Sequence, residues 1–150
     1  AKGWLNLNNQ SGTLNVSGTR VGFLGLDDPH DELAWYETLP RQQVEVGEQD
    51  LVLGVAHAPY LRVIQELGEY GAEIVFCGHT HGGQICLPFF GAIITNCDLP
   101  AKFAKGLSRQ QAGNKNVWLN VCAGLGTSIF APVRLFCKPE VRLLTLVAKV

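Results

Sequence analysis

The chain has 150 residues, of which 47% are hydrophobic and 17% charged. It is therefore long and apolar enough to bury one core, and its composition excludes a disordered chain. The formal net charge of −1 predicts no basic field that would draw the domain onto nucleic acid or an anionic membrane. No apolar run approaches the ~20 residues of a transmembrane helix, and the compartment stays open between cytoplasmic and membrane-associated.

The first elements read as β-structure. In residues 4–7 and 13–16, polar residues stand between apolar ones, which predicts strands. Residues 8–12 predict a turn between the two segments. The apolar run 21–26 predicts a further strand. Residues 28–30 then read Asp-x-His, which is a candidate metal motif. The preferred interpretation is that Asp27 or Asp28 caps a helix through residues 31–36, whose first turn is acidic.

A strand, a helix and a second strand follow. Residues 51–56 form a short apolar run that predicts a strand, with His57 at its carboxyl end. Pro59 is typical of a helix start, and apolar side chains at three-residue steps predict a helix from Tyr60 to Tyr70. Residues 74–77 predict the next strand, and residues 78–84 read Gly-His-Thr-His-Gly-Gly-Gln directly after it.

Three histidines therefore fall at strand ends: His57, His79 and His81. Ligands gather at the carboxyl ends of strands in open α/β sheets, and neutral imidazole is the commonest side-chain metal ligand. The neighbouring glycines permit the sharp backbone turn that would bring adjacent ligands together. This pattern favours a metal site over a polar loop with two surface histidines. Each ligating ring is expected to be oriented through its other nitrogen by a carbonyl or carboxylate.

The motifs at residues 56–59 and 78–84 resemble the last two metal motifs of the calcineurin-like metallophosphoesterases, in particular their bacterial phosphodiesterase-like branch. Residues 25–29, 124–128, 132–134 and 138–140 agree with that branch. The resemblance implies an α/β fold, as part of an αββα sandwich with mixed sheets and helices outside. It also implies two divalent ions (Mn, Fe, Zn or Co), with His57 and His79 on one and His81 on the other. The implied substrate is a phosphorylated small molecule or a lipid-linked phosphate.

The chain lacks the earlier family motifs Asp-x-His, Gly-Asp and Gly-Asn-His as a set, and it contains no methionine. The expectation is that residues 1–150 are the carboxyl-terminal half of a metallophosphoesterase domain that needs its amino-terminal half. The presumed proton donor and the remaining ligands would then lie outside this chain, and the fragment alone would be inactive. The candidate at residues 28–30 is followed by no Gly-Asp or Gly-Asn-His before His57, which counts against it.

The remaining segments predict scaffold. Residues 117–121 and 141–147 predict strands, and residues 87–108 read as a long loop punctuated by proline and glycine. Phe89, Phe90 and Lys105 in that loop either border the substrate or belong to a packed surface excursion. The five cysteines form no Cys-x-x-Cys pair and are expected to be buried reduced thiols. A zinc site joining Cys77 to His79 and His81 is the disfavoured alternative.

Three functions follow from these patterns. The preferred one is metal-dependent hydrolysis of phosphate mono- or diesters at a two-metal site. The second is a non-catalytic or incomplete metallophosphoesterase-like module that keeps part of the site. The third is another metal hydrolase with His-x-His at a strand end, such as the amidohydrolases, but their motif lies on the first strand of a barrel with many repeats. The mid-chain position of His79 and His81 counts against that third function.

Overall fold

The structure, a computed structural model, describes residues 3–28 and 51–147. Its main element is a mixed six-stranded sheet of β1 (Gln10–Val16), β2 (Thr19–Leu26), β3 (Leu51–Ala56), β4 (Ile74–Cys77), β7 (Gly106–Ala112) and β8 (Lys115–Val121). The strands lie in the spatial order β1-β2-β3-β4-β8-β7. One helix, α1 (Leu61–Glu69), connects β3 to β4. The strands β5 (Cys86–Leu87) and β6 (Gly91–Ala92) form a separate hairpin. The fold is therefore of the α/β class, as the sequence predicts.

The centre of the sheet is parallel and its two edges are antiparallel. β2, β3, β4 and β8 run in one direction, whereas β1 and β7 return beside β2 and β8. In the register of β3 and β4, Val55 lies opposite Phe76. The residues that follow these two strands therefore emerge side by side at one edge of the sheet.

α1 covers one face of the parallel strands. Its side chains Ile64 and Leu67 are almost fully buried and pack in the same cluster as Val75 and Leu119 of the sheet. Burial of each such side chain stabilises the fold by about 1.5–3 kcal/mol. The helix start is capped from a distance, because Asp98 Oδ1 accepts the Leu61 N–H at 2.8 Å.

Most of the predicted central elements are confirmed. The strand at residues 51–56, the strand at 74–77 and the helix between Tyr60 and Tyr70 appear with nearly the predicted bounds. The strands predicted at 13–16, 21–26 and 117–121 are parts of the longer strands β1, β2 and β8. The predicted helix over residues 31–36 and the histidine of the Asp-x-His motif lie outside the described residues.

Several predictions at the sheet margins are wrong or only partly confirmed. Residues 4–7 form no strand. The turn predicted over residues 8–12 is confirmed at Asn8 and Asn9 only, because residues 10–12 already belong to β1. Residues 141–147 form no strand, because they have no ladder partner among the described residues. The long loop predicted over residues 87–108 contains β6, a 3-10 turn at Ala101–Phe103 and the beginning of β7.

The five cysteines are free thiols. Cys77, Cys86 and Cys137 are buried, as expected, whereas Cys97 and Cys122 are only partly covered. Cys77 packs in the core beneath α1 and not with the strand-end histidines. In the part of the chain that the structure describes, no helix is long and apolar enough to cross a membrane.

Candidate metal centre

His57 and His79 meet at the carboxyl edge of the sheet. Nε2 of His57 lies 3.0 Å from Nδ1 of His79, and the two ring centroids are 4.9 Å apart. Because β3 and β4 are adjacent and parallel, the chain leaves both strands at the same place. A backbone hydrogen bond from Gly78 N–H to the His57 carbonyl, 3.0 Å long, continues the ladder into the two loops. The juxtaposition is thus built by the sheet itself.

The second nitrogen of His79 is held by Asn96. Nε2 of His79 lies 3.2 Å from the Asn96 carbonyl oxygen and 3.2 Å from the Asn96 side-chain nitrogen. When Nε2–H donates to the carbonyl, the lone pair of Nδ1 faces Nε2 of His57 and can accept its N–H. A carbonyl on the outer nitrogen is the arrangement that the sequence predicts for a ligating imidazole. Asn96 is itself close to the start of α1, because the Tyr60 hydroxyl donates to its carbonyl at 3.4 Å.

The loop that carries His79 and His81 has an unusual backbone. Three of its non-glycine residues have positive φ: 63° at His79, 49° at His81 and 53° at Gln84. Such conformations cost about 1–3 kcal/mol each and concentrate at functional sites. Thr80 offsets part of this cost, since its hydroxyl donates to the Ala104 carbonyl at 2.6 Å and accepts the Gly82 N–H at 3.2 Å.

His81 lies in the 3-10 turn His81–Gly83, beyond His79. Burial lowers the pKa of His81, and the positive charge of Arg134 lowers it further. A hydrogen bond to the Gly126 carbonyl opposes both effects on the pKa. The net result favours the neutral ring, which is the protonation state that binds metals. The charge of His57 also lowers the pKa of His81.

Arg134 ties the histidine turn to two neighbouring loops. Its guanidinium donates to the carbonyls of His81 at 3.0 Å, Ala123 at 2.7 Å and Gly124 at 3.1 Å, and Nε donates to Gly126 at 3.1 Å. The planar fork of arginine is suited to such a set of carbonyls, which a lysine ammonium could not reach together. Arg134 is therefore a positioning residue for the turn that carries His81.

A cavity of about 410 Å³ opens beside His79 and His81. Gln84 forms part of its wall and holds the next loop, because its Oε1 accepts the Ser128 N–H at 2.7 Å and its Nε2 donates to the Ala131 carbonyl. Phe89, Phe90 and Lys105, which the sequence marks as candidates for a substrate border, are not among the lining residues. The full lining is His79, Thr80, His81, Gly83, Gln84, Ile85, Ile93, Ile94, Thr95, Asn96, Ser128, Phe130 and Ala131.

Asp28 also approaches the histidines. Its Oδ2 lies 3.7 Å from Nε2 of His57, and its N–H donates to Oδ1 of Asp27 at 2.8 Å. The sequence assigns this aspartate to helix capping, whereas the structure brings its carboxylate to the edge of the sheet that carries His57. The capping prediction itself depends on a helix outside the described residues.

The donor set fits part of a metal site. Two nitrogens 3.0 Å apart are close enough to bind one cation, because nitrogen–metal bonds are about 2.0–2.1 Å long. Within residues 3–28 and 51–147, however, no three His, Cys, Asp or Glu side chains converge closely enough to hold an ion. The structure thus brings His57 and His79 together, with His81 in the adjoining turn, and the ligand roles of all three stay predictions.

Sequence reasoning missed Asn96, Asp98 and Arg134. Asn96 contacts a ring 17 residues earlier in the chain, and Arg134 contacts a carbonyl 53 residues earlier. Their sequence neighbourhoods show no periodic pattern that would pair them with the histidine loop. The length of the ordered segment 87–108 was the one signal that pointed to Asn96 and Asp98.

A strand-end histidine site on a mixed α/β sheet is the class of site that these residues define. The chain is 30% identical over 148 residues to the uncharacterized protein YpbG of Bacillus subtilis strain 168, a match that covers 97% of this chain and 49% of YpbG. It is 38% identical over 78 residues to the uncharacterized metallophosphoesterase YkuE of the same organism, over 52% of this chain and 25% of YkuE. The chain therefore spans about half of the first relative's length. No family model matches the chain, and no solved structure matches it at a significant level.

Proposed function

We propose that the protein hydrolyses phosphate mono- or diesters at a two-metal site, with this chain supplying the histidines of the later metal motifs. His57 and His79 bind one divalent ion, and His81 binds the other. The observation that carries the proposal is the 3.0 Å approach of the two ring nitrogens at the ends of adjacent parallel strands. The partial similarity to a protein named as a metallophosphoesterase supports the same chemistry.

The chain's own residues orient the histidines and shape the cavity. When bound, a pair of divalent ions supplies Lewis acidity and an activated water for attack at phosphorus. Asn96 holds the ring of His79 with Nδ1 turned inward. Arg134 holds the His81 turn. Ile93, Ile94 and Phe130 give one side of the cavity an apolar wall. Mn, Fe, Zn and Co all accept imidazole and carboxylate ligands, and the remaining ligands and the proton donor are expected outside this chain.

The test measures metal content and hydrolysis together in the full natural protein. Wild-type protein is expected to carry two divalent ions per chain by elemental analysis and to hydrolyse p-nitrophenyl phosphate or bis-p-nitrophenyl phosphate. His79→Ala and His57→Ala should each remove at least one ion and reduce turnover by at least about a hundredfold, as loss of a metal-held reactant requires. Gln65→Ala is the control, because Gln65 lies on the exposed side of α1 and does not line the cavity. Retention of two ions by His79→Ala would show that the ligand assignment is wrong.

The alternative is a metallophosphoesterase-like module without catalysis. It is favoured by one observation: the described residues bring two ring nitrogens together but no group of three ligands. A module of this kind would bind one ion through His57 and His79 and turn over neither p-nitrophenyl ester. Metal binding that His79→Ala abolishes, combined with no hydrolysis by wild-type protein, would select this alternative over the enzyme.

A further inference from the structure

Large apolar side chains stand exposed in two segments of the chain, residues 89–94 and 129–136. Six of them are at least 69% exposed and are called the apolar rim below: Phe89 (110%), Phe90 (74%), Ile94 (70%), Ile129 (86%), Phe130 (90%) and Phe136 (69%). Phe89 and Phe90 lie in the turn between β5 and β6, and Phe89 has a φ of 66° that points to a tight turn. Large exposed apolar patches mark interaction sites, and six such side chains on two segments of the chain are therefore a candidate for one.

The two chain segments that carry the rim are bound to each other. Leu135 N–H donates to the Gln84 carbonyl at 3.0 Å, and Cys86 N–H donates to the Leu135 carbonyl at 2.9 Å. The segment around residues 128–136 therefore runs along β5. Ile94 from one segment and Phe130 from the other line the cavity with His79 and His81. The rim thus reaches the cavity through Ile94 and Phe130, whereas its other four side chains lie outside the cavity lining.

Charge is distributed unevenly over the chain, although the net charge is only −1. Residues 85–140 contain six basic residues and two acidic ones, Asp98 and Glu140. The basic residues are Lys102, Lys105, Arg109, Lys115, Arg134 and Lys138. Lys102, Lys105 and Lys138 are exposed. The Lys105 side chain passes close to Gly82 in the histidine turn, since its Cδ lies 3.3 Å from the position that a Cβ on Gly82 would occupy.

We propose that the apolar rim docks on the surface of a bilayer that contains anionic phospholipids. The phenylalanine and isoleucine side chains enter the boundary between head groups and acyl chains, and the exposed lysines contact the anionic head groups. Single side chains that protrude from turns suit insertion into lipid better than a flat protein interface. The cavity and its histidines would then open towards the lipid surface. The inference goes beyond the proposed chemistry and does not require a metal to be bound.

The face of the sheet opposite α1 is a different surface from the apolar rim. Gly54 faces α1, because a Cβ there would lie 3.1 Å from a Leu67 methyl group. The alternate residues Leu53 and Val55 therefore face the other side of the sheet, where they are only half-buried. That side is a regular strand surface, which is what a second layer of secondary structure needs. The rim consists instead of residues in the segments 89–94 and 129–136, outside the strands of the six-stranded sheet.

Sedimentation of the full natural protein with lipid vesicles tests the proposal. Wild-type protein is expected to bind vesicles of phosphatidylcholine with about 30 mol% phosphatidylglycerol, and to bind pure phosphatidylcholine vesicles several-fold less. The double change Phe89→Ser with Phe90→Ser should reduce the partition coefficient about tenfold or more. Val16→Ser is the matched control: it is 52% exposed and lies at the far end of the sheet, since β2 starts there and runs parallel to β3.

Further variants separate the two components of docking and separate docking from catalysis. Lys102→Gln with Lys138→Gln should weaken binding to the anionic vesicles and leave binding to neutral vesicles unchanged. His79→Ala should bind vesicles as wild type does, even where it loses its metal. The proposal is overturned if wild-type protein does not sediment with anionic vesicles, or if the phenylalanine pair and Val16→Ser reduce binding equally. Protection of Phe130→Cys from a thiol reagent without vesicles would also overturn it, because the rim would then be covered by the protein itself.

Discussion

Gly83 lies where the histidine turn touches the β5–β6 hairpin, and its replacement by alanine tests how tightly the two fit. Gly83 has a φ of +84°, and a Cβ built on it would overlap the Ala92 Cβ and lie 2.9 Å from the Ala92 Cα. Gly91 offers a matched comparison in the same hairpin. Its φ is +87°, but a Cβ there would meet nothing within 4 Å. The two substitutions therefore impose the same backbone conformation on alanine and differ in the space around the new methyl group.

The expected loss of unfolding free energy has two contributions, the left-handed backbone conformation and the overlap of the new methyl group with its neighbours. A left-handed backbone costs an L-residue about 1–2 kcal/mol, so Gly91→Ala should lower the free energy of unfolding by about that amount. Gly83→Ala carries the same penalty and must also push the hairpin away from the turn, which adds about 1–3 kcal/mol as in other overpacked sites. The total for Gly83→Ala is therefore about 2–5 kcal/mol.

Urea unfolding of the full natural protein and its two variants, followed by circular dichroism, measures both values. A third variant, Gly83→Ala with Ala92→Gly, should recover part of the loss, because it removes the nearest overlapping carbon. Equal destabilisation by Gly83→Ala and Gly91→Ala would refute the close contact between turn and hairpin. Metal content measured on the same samples would report whether displacement of the turn reaches His81.

Three further outcomes are expected. Arg134→Lys should lower the free energy of unfolding by about 1–3 kcal/mol, because several carbonyls lose their donors. The control is Arg109→Lys, which should change that free energy by less than about 0.5 kcal/mol, because the Arg109 guanidinium lies on a strand surface, 4.9 Å from the Trp118 ring centroid. Equal losses would argue against the carbonyl cluster around Arg134. Burial raises the pKa of Cys77 from 9.0 to about 12, so iodoacetamide at pH 8 should alkylate native Cys77 about a thousandfold more slowly than the unfolded thiol. Peptide mass spectrometry with and without urea would measure the two rates. Rapid alkylation of the native protein would contradict the burial of Cys77. The hydrogen bond from Arg142 lowers the pKa of Glu140, so the charged carboxylate stabilises the fold above the ordinary pKa of 4.5, and this contribution is lost as pH falls through the lower folded value. The difference in unfolding free energy between wild type and Glu140→Gln should accordingly shrink from pH 7 to pH 3, and a difference that grows on acidification would refute the sign.

The central elements could be predicted because their residues obey local rules. The strand at residues 51–56 is a continuous apolar run, which is typical of a central parallel strand, and its face under α1 is fully buried. α1 shows a helical repeat and a proline at its start. The strand β7 was missed because its sequence, Gly-Leu-Ser-Arg-Gln-Gln-Ala, is largely polar and lacks the apolar run of a buried strand. A polar strand is possible here because β7 lies at an edge of the sheet. Residues 141–147 alternate as a strand does, but a strand also needs a ladder partner, and pairing is a tertiary property.

The candidate site likewise contains contacts that local sequence rules predict and contacts that depend on the folded path of the chain. The approach of His57 to His79 was predictable, since consecutive parallel strands end at one edge and each histidine comes directly after its strand. The Asn96 carbonyl was not predictable, because any residue has a carbonyl and only the folded path of the segment after β6 brings this one to the ring. The position of Asp28 was likewise hidden, since its sequence context suits a helix cap equally well.

Arg134 gives the protein a permanent cation of its own at the hub of three loops. Carbonyl oxygens that point towards one another repel, and in many proteins such clusters depend on a bound ion for cohesion. Here a covalently attached guanidinium takes that place, and it cannot dissociate from the protein. The loops around His81 thus have a reason to keep their shape without a bound ion.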